Sequence, residues 1–288
     1  MLTTVIGSYP LKYSELGPDA IRQAVEDQLN AGVDLVTDGQ TRYDMIEYFA
    51  RAIEGYTYEG KSVITGKIGR GRPDEFVDDF RMAKGFAPRV KGLVTGPVTL
   101  VFSTRIKGPY AGYRDENVYL DTADALLDIA RALEAEGAEW IQIDEPYLSV
   151  GAPMDIARNA VERLAAGLRV PVAMHVCGAV GKIVPQLLAW KGVALLSHGF
   201  MGDKNDEVLT SPELQQSDKM LGLGCIDTKS PVVESEEAVT TLIRKALDLL
   251  PPERLAIHPD CGLRMLPREA VQAKLKVMTS AARQFGTK

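Results

Sequence analysis

The chain has 288 residues, 45% of them hydrophobic and 25% charged, with a formal net charge of −6. That balance fits one globular domain spanning 1–288 and excludes a disordered polymer, while the lack of a dense Lys/Arg block removes the concentrated positive field that nucleic acid requires. No stretch approaches the roughly 20 apolar residues of a membrane span and "MLTTVIGSYPLKYSEL" is not a signal segment, so a cytoplasmic protein with no membrane partner is expected.

Taken in order, the short apolar runs are 3–9, 34–39, 90–96, 140–146, 171–177, 193–199, 220–227 and 255–261. Between most of them lie amphipathic stretches with apolar residues at steps of three and four, such as "PDAIRQAVEDQLNAG", "DTADALLDIARALEAEG" and "EEAVTTLIRKALDLL". Eight strands alternating with helices, each run apolar enough to be buried on both faces, predict an α/β fold closed as a (β/α)₈ TIM barrel, with an open doubly wound sheet as the alternative. Two segments depart from the repeat. Residues 58–89, rich in Gly, Pro and charge, predict an inserted hairpin or extended loop, and 103–118 predict a polar loop after the third strand.

A parallel barrel does its chemistry at the carboxyl ends of its strands. The first run delivers Ile6, Gly7 and Ser8 there, the second Asp38, Gly39 and Gln40, and the fourth Asp144 and Glu145. The fifth delivers His175 and Cys177, the sixth His198, the seventh Asp227 and the eighth Asp260 and Cys261. Alternation lets His175 and Cys177 project the same way, so that with Cys261 they form a soft nitrogen and sulfur set suited to Zn²⁺ with one position open. Buried barrel packing accounts for the same three residues equally well, and it is the preferred reading for Cys225 in its apolar "GLGCI" context. In "IDEP" one carboxylate can reach the barrel mouth for a cationic group while its neighbour pairs with the barrel; a helix-start acidic pair is the alternative. The "VIGSYP" turn suits a carboxylate or is simple punctuation, and in "TDGQTRYDM" either Gln40 bonds a polar substrate or Asp38 caps a helix.

The ordered blocks "IGSYP", "TDGQTRYDMIEYFA", "KGLVTGPVTL", "IQIDEPYL", "MHVCG", "LLSHGF", "GLGCIDTKSPVVES" and "IHPDCGL" closely resemble the catalytic domain of cobalamin-independent methionine synthase, from residue 3 to about 283. The resemblance implies zinc on His175, Cys177 and Cys261 binding the sulfur of homocysteine. It also implies that Ile6, Gly7, Ser8, Gln40 and Asp144 hold the amino acid, with Phe102 on the donor side. It carries departures as well. Gly199 stands where the family has a glutamate ligand, with His198, Asp203 or Glu207 as substitutes, and Gln40 replaces an acid. Phe102 replaces a tryptophan that stacks on folate, and Lys229 replaces a histidine that protonates the leaving folate, leaving Lys229 and Asp227 as the catalytic candidates of that block. The chain is also expected to lack the amino-terminal barrel of the long folate-using enzymes. These departures lead to the expectation that methylcobalamin, or a methylated corrinoid protein as partner, is the donor. The alternatives are a related barrel methyltransferase acting on another thiol, a uroporphyrinogen-decarboxylase-like lyase, and a non-catalytic zinc- or homocysteine-binding protein.

Overall fold

A computed structural model describes residues 1–286. In chain order its strands are β1 (Leu2–Thr3), β2 (Tyr56–Tyr58), β3 (Ser62–Ile64), β4 (Gly92–Thr95), β5 (Arg105–Ile106), β6 (Ile141–Asp144), β7 (Val172–His175), β8 (Val193–Gly199), β9 (Met220–Gly224) and β10 (Leu255–His258). Seven of them form a parallel sheet in the order β1-β10-β9-β8-β7-β6-β4. The gap between β1 and β4 is closed by the run at 34–39, which is reduced to two parallel bridges, Thr4 with Leu35 and Val36 with Val90. It pairs no further because the chain turns at once through Gly39 and Gln40, both with positive φ (79° and 45°). Eight staves therefore close the ring, all at the positions expected from the apolar runs.

β4, β6, β7 and β10 are buried along their whole length, as staves sandwiched between a filled interior and a ring of helices must be. The longest outer helix, Glu116–Ala135, starts where the Asp115 carboxylate accepts from Asn117 N, and Ser235 caps Glu236–Leu247 by accepting from Ala238 N. One large apolar cluster lies between staves and helices, and a small plug of Ala173, Leu195 and Ala256, flanked by Leu2, Trp140 and Met220, fills the barrel's lower interior.

The segment expected as an insertion is more ordered than its composition suggests. Antiparallel β2 and β3 form the hairpin, and β5, from the predicted loop at 103–118, adds parallel to β3. The second half of 58–89 is mostly helix: Asp74–Phe86 is the barrel's second outer helix and buries Phe76, Phe80 and Ala83. Its acidic outer face masked that apolar stripe.

Candidate active site

Inside a barrel stave the side chains alternate, so on β7 Ala173 and His175 face inward while Val172 and Met174 join the outer core. Cys177, two residues on, stays on the inward side, and Cys261 enters three residues beyond the end of β10. One ligand atom from each of His175, Cys177 and Cys261 lies within 4.8 Å of the others. His175 is 2% exposed, and its Nε2 has no hydrogen-bond partner among the described residues. A buried ring nitrogen without a partner is costly unless something else takes its lone pair. Cys177 is held below the ordinary thiol value by the hydrogen bond from Cys261, and Cys261 is pushed far up by giving that bond and by burial. The two thiols are thus shifted in opposite directions. Soft donors, an orphan nitrogen and ready loss of a proton fit a zinc ion with one position open.

None of the substitutes for a fourth ligand joins this group. His198 faces the outer core with Nδ1 against Val176 O, Asp203 accepts from Gly178 N and pairs with Lys229, and Glu207 lies against Gly181. A Cβ on Gly199 would meet Asp203 and Asp260. The residue of β8 that touches a ligand is Ser197, whose Oγ lies 2.9 Å from His175 Nδ1.

The three donors form one wall of a cavity of about 290 Å³ that Ile6, Ser8, Gln40 and Asp144 also line. Asp144 is seated by Gln142, whose Nε2 donates to Asp144 Oδ1 (2.6 Å) and to Ile6 O (2.8 Å); below it the Lys91 ammonium donates to Gln142 Oε1 (2.5 Å). Burial raises the Asp144 carboxyl, opposed by His175, Gln142 and Lys91, and burial pulls the Lys91 ammonium down to about 7. The neighbouring Glu145 points the other way, where its carboxylate accepts from Val98 N, Thr99 N and Thr99 Oγ1 at the start of the helix Pro97–Phe102. Gly7 shapes the wall: a Cβ there would strike Leu93 at 2.9 Å. Gly262 is needed because a Cβ would sit 2.2 Å from Ser8 Oγ.

Three expected residues stay outside the cavity. Phe102 packs among Tyr113, Tyr119 and Tyr147 with ring centroids 5.8 to 6.2 Å away. Lys229 is exposed and held by Asp203 from the loop after β8, and Asp227 accepts from Lys229 N within the loop after β9, so both residues are engaged away from the cavity. The sequence reading missed Arg264, which lines the cavity and donates to the carbonyls of Gln40 and Tyr43. Its place three residues after Cys261 was the available signal. The Gln40 carbonyl belongs to a left-handed non-glycine residue, a strain of roughly 1 kcal/mol or more that the Arg264 bond and Asp38 Oδ1 on Gln40 N oppose.

Residues 11–284 match the family model described as the catalytic domain of cobalamin-independent synthase. The chain belongs to the cobalamin-independent methionine synthase family. A methionine synthase from Methanothermobacter marburgensis is 39% identical over 99% of this chain and 100% of its own length. Among solved structures, a B12-independent methionine synthase from a Shewanella species in complex with selenomethionine superposes with a TM-score of 0.85 at 23% identity, covering 98% of this chain and 97% of that one. A putative vitamin-B12-independent methionine synthase from Listeria monocytogenes gives 0.81 at 20% identity with both chains fully covered. The chain is thus a methyltransferase of the methionine synthase type, on a TIM-barrel-like fold. A family described as cobalamin-independent gives no support to methylcobalamin as donor or to a corrinoid protein as partner. Among the described residues no helix is long and apolar enough to cross a membrane.

Proposed function

We propose that this methionine synthase family member methylates the thiol of homocysteine at the open position of a zinc site formed by His175, Cys177 and Cys261. One observation carries the reading: three converging soft donors, one an unpartnered buried imidazole nitrogen, share a cavity with the buried carboxylate of Asp144. A zinc ion held there supplies the charge that keeps a coordinated thiol ionised at neutral pH, where a free thiol of pKa about 8.5 is mostly protonated. The rest falls to side chains. Asp144 receives the α-ammonium, seated by Gln142 so that its free oxygen faces the cavity. The Ser8 hydroxyl, without a hydrogen-bond partner among the described residues, and the Gln40 amide line the cavity where the carboxylate would lie, with the Arg264 guanidinium adding positive charge. Anchored at both ends of its amino-acid head, the ligand presents its sulfur in one direction, and orientation of this kind accounts for much of the gain over a bimolecular reaction.

The donor is a finer matter. A cobalt-bound methyl rests chiefly on the departures at Lys229 and Phe102; those residues lie outside the cavity, and the family description favours a cobalamin-free route. The test is to measure zinc content, then methionine formed from homocysteine with methyltetrahydrofolate and with methylcobalamin as separate arms. Stoichiometric zinc and methionine from either arm supports the reading and assigns the donor. Protein that holds no zinc and makes no methionine in either arm overturns it.

A further inference from the structure

His175 ends a hydrogen-bonded row inside the barrel that the chemistry above does not use. Its Nδ1 lies 2.9 Å from Ser197 Oγ, that oxygen lies 2.9 Å from His258 Nε2, and His258 Nδ1 lies 2.7 Å from the carbonyl of Pro259. All three side chains are at most 2% exposed. The row owes its path to a missing side chain. Ser197 pairs with Gly222 across β8 and β9, and a Cβ at 222 would lie 2.6 Å from His258 Nε2 and 2.9 Å from Ser197 Cβ. Glycine leaves the gap through which His258, on β10, reaches past β9 to Ser197.

The hydrogens in this row follow from its far end. A carbonyl oxygen only accepts, so His258 Nδ1 carries a hydrogen. The His258 ring is buried with only the Pro259 carbonyl and the Ser197 hydroxyl at its nitrogens and no carboxylate to support a charge, so it is neutral and its Nε2 offers a lone pair. The Ser197 hydroxyl donates its single hydrogen to that lone pair. Ser197 is then left to accept from His175, whose Nδ1 must carry a hydrogen. The other nitrogen of His175, Nε2, is the one without a protein partner and belongs with the two sulfurs.

We propose that Ser197 and His258 are positioning residues that hold His175 in its Nδ1–H form and so reserve the Nε2 lone pair for the metal. The inference rests on the zinc reading of the preceding subsection and deepens it. Partners on the far nitrogen fix both the tautomer and the ring orientation of a ligand histidine. Without Ser197 a neutral His175 divides between two tautomers, and the Nε2–H fraction cannot ligate.

The chain has only three histidines, so histidine-labelled metal-free protein gives three ring systems in a long-range ¹H–¹⁵N spectrum at alkaline pH. The wild type is expected to show His175 and His258 as Nδ1–H. Ser197→Ala and His258→Leu are expected to move His175 toward the mixed or Nε2–H pattern and to weaken zinc in chelator competition by about 10- to 100-fold. His258→Gln, whose side-chain carbonyl can accept the Ser197 hydrogen, restores both readouts in part, and it keeps the test open should either of the other variants fail to fold. Unchanged zinc affinity and an unchanged His175 pattern in Ser197→Ala overturn the inference and leave the zinc site standing. A wild type that takes up no zinc overturns both.

Discussion

Asp144 and Glu145 are adjacent in sequence and opposite in consequence. Glu145 is fully buried, and its carboxylate receives Val98 N at 2.9 Å, Thr99 N at 2.8 Å and Thr99 Oγ1 at 2.7 Å. Glu145→Ala leaves two buried N–H groups at a helix start with no acceptor, at about 1–3 kcal/mol each, for a total of about 4 kcal/mol. For a chain of this size that is a melting-temperature drop on the order of 10 °C. Glu145→Gln keeps an acceptor and resembles the protonated carboxyl, which burial already favours by raising its pKa to about 7, so it costs about 1 kcal/mol. Asp144→Asn should do the reverse. Its amide oxygen still accepts from Gln142 Nε2, so the fold barely changes, but the charge facing the substrate ammonium is lost. A charge-assisted hydrogen bond of about 2–3 kcal/mol corresponds to a rise in KM for homocysteine of about 30- to 150-fold. Calorimetric melting and steady-state kinetics on the three variants check this. Asp144→Asn melting as early as Glu145→Ala while keeping a wild-type KM would refute the division of labour.

Three further outcomes are expected. His198 is buried and pushed down to about 4 chiefly by burial, so its folded pKa lies below its unfolded value of about 6.5. Its stabilising effect is then present above about 6.5 and is lost as pH falls toward about 4, and His198→Gln should flatten the stability profile in that window by about 1.4 kcal/mol per pH unit, read by urea melts. Gly262→Ala puts a methyl 2.2 Å from Ser8 Oγ and turns that hydroxyl out of the cavity; KM should rise tenfold or so, about the 1.4 kcal/mol of one lost hydrogen bond, with the melting temperature nearly constant. Lys274 has no exposed side-chain surface and donates to Glu234 at 2.8 Å and to Asp227 O at 3.0 Å, tying down the loop after β9. Lys274→Met strands a buried carboxylate at a cost of about 3–5 kcal/mol, and adding Glu234→Leu should recover much of it in denaturant titrations.

Most of the barrel could be read from the sequence because parallel staves are buried on both faces and appear as unbroken apolar runs. The stave at 34–39 was read as an ordinary strand, although only Leu35 and Val36 form bridges. β2, β3 and β5 are two or three residues long, too short to show any period, and charge hid the helix Asp74–Phe86. His175, Cys177, Cys261, Asp144, Gln40, Ser8 and Ile6 were legible because position at a stave's carboxyl end is nearly enough to place a side chain at the mouth. Lys229 and Asp227 had the right position and the wrong surroundings. Which partner satisfies them depends on Asp203, from another loop, and no spacing rule reports that.

The polar interior beneath the mouth was the least legible part, and the same geometry explains why it matters. Asp144 pairs with His175 across β6 and β7, and His175 pairs with Ser197 across β7 and β8, so three inward side chains share one level of the barrel. Adjacent staves lie about 4.8 Å apart, which fixes the spacing between the proposed ammonium site at Asp144 and the proposed metal ligand His175 at a few bonds' length. A thiol whose sulfur is two methylenes from an amino-bearing carbon spans that interval. Beneath that level Gln142 and Lys91 hold Asp144, and Gly222 opens the way for His258 to hold Ser197. Each of these residues reads as unremarkable on its own strand. Their roles arise from the register between staves, which brings residues far apart in the chain to the same level.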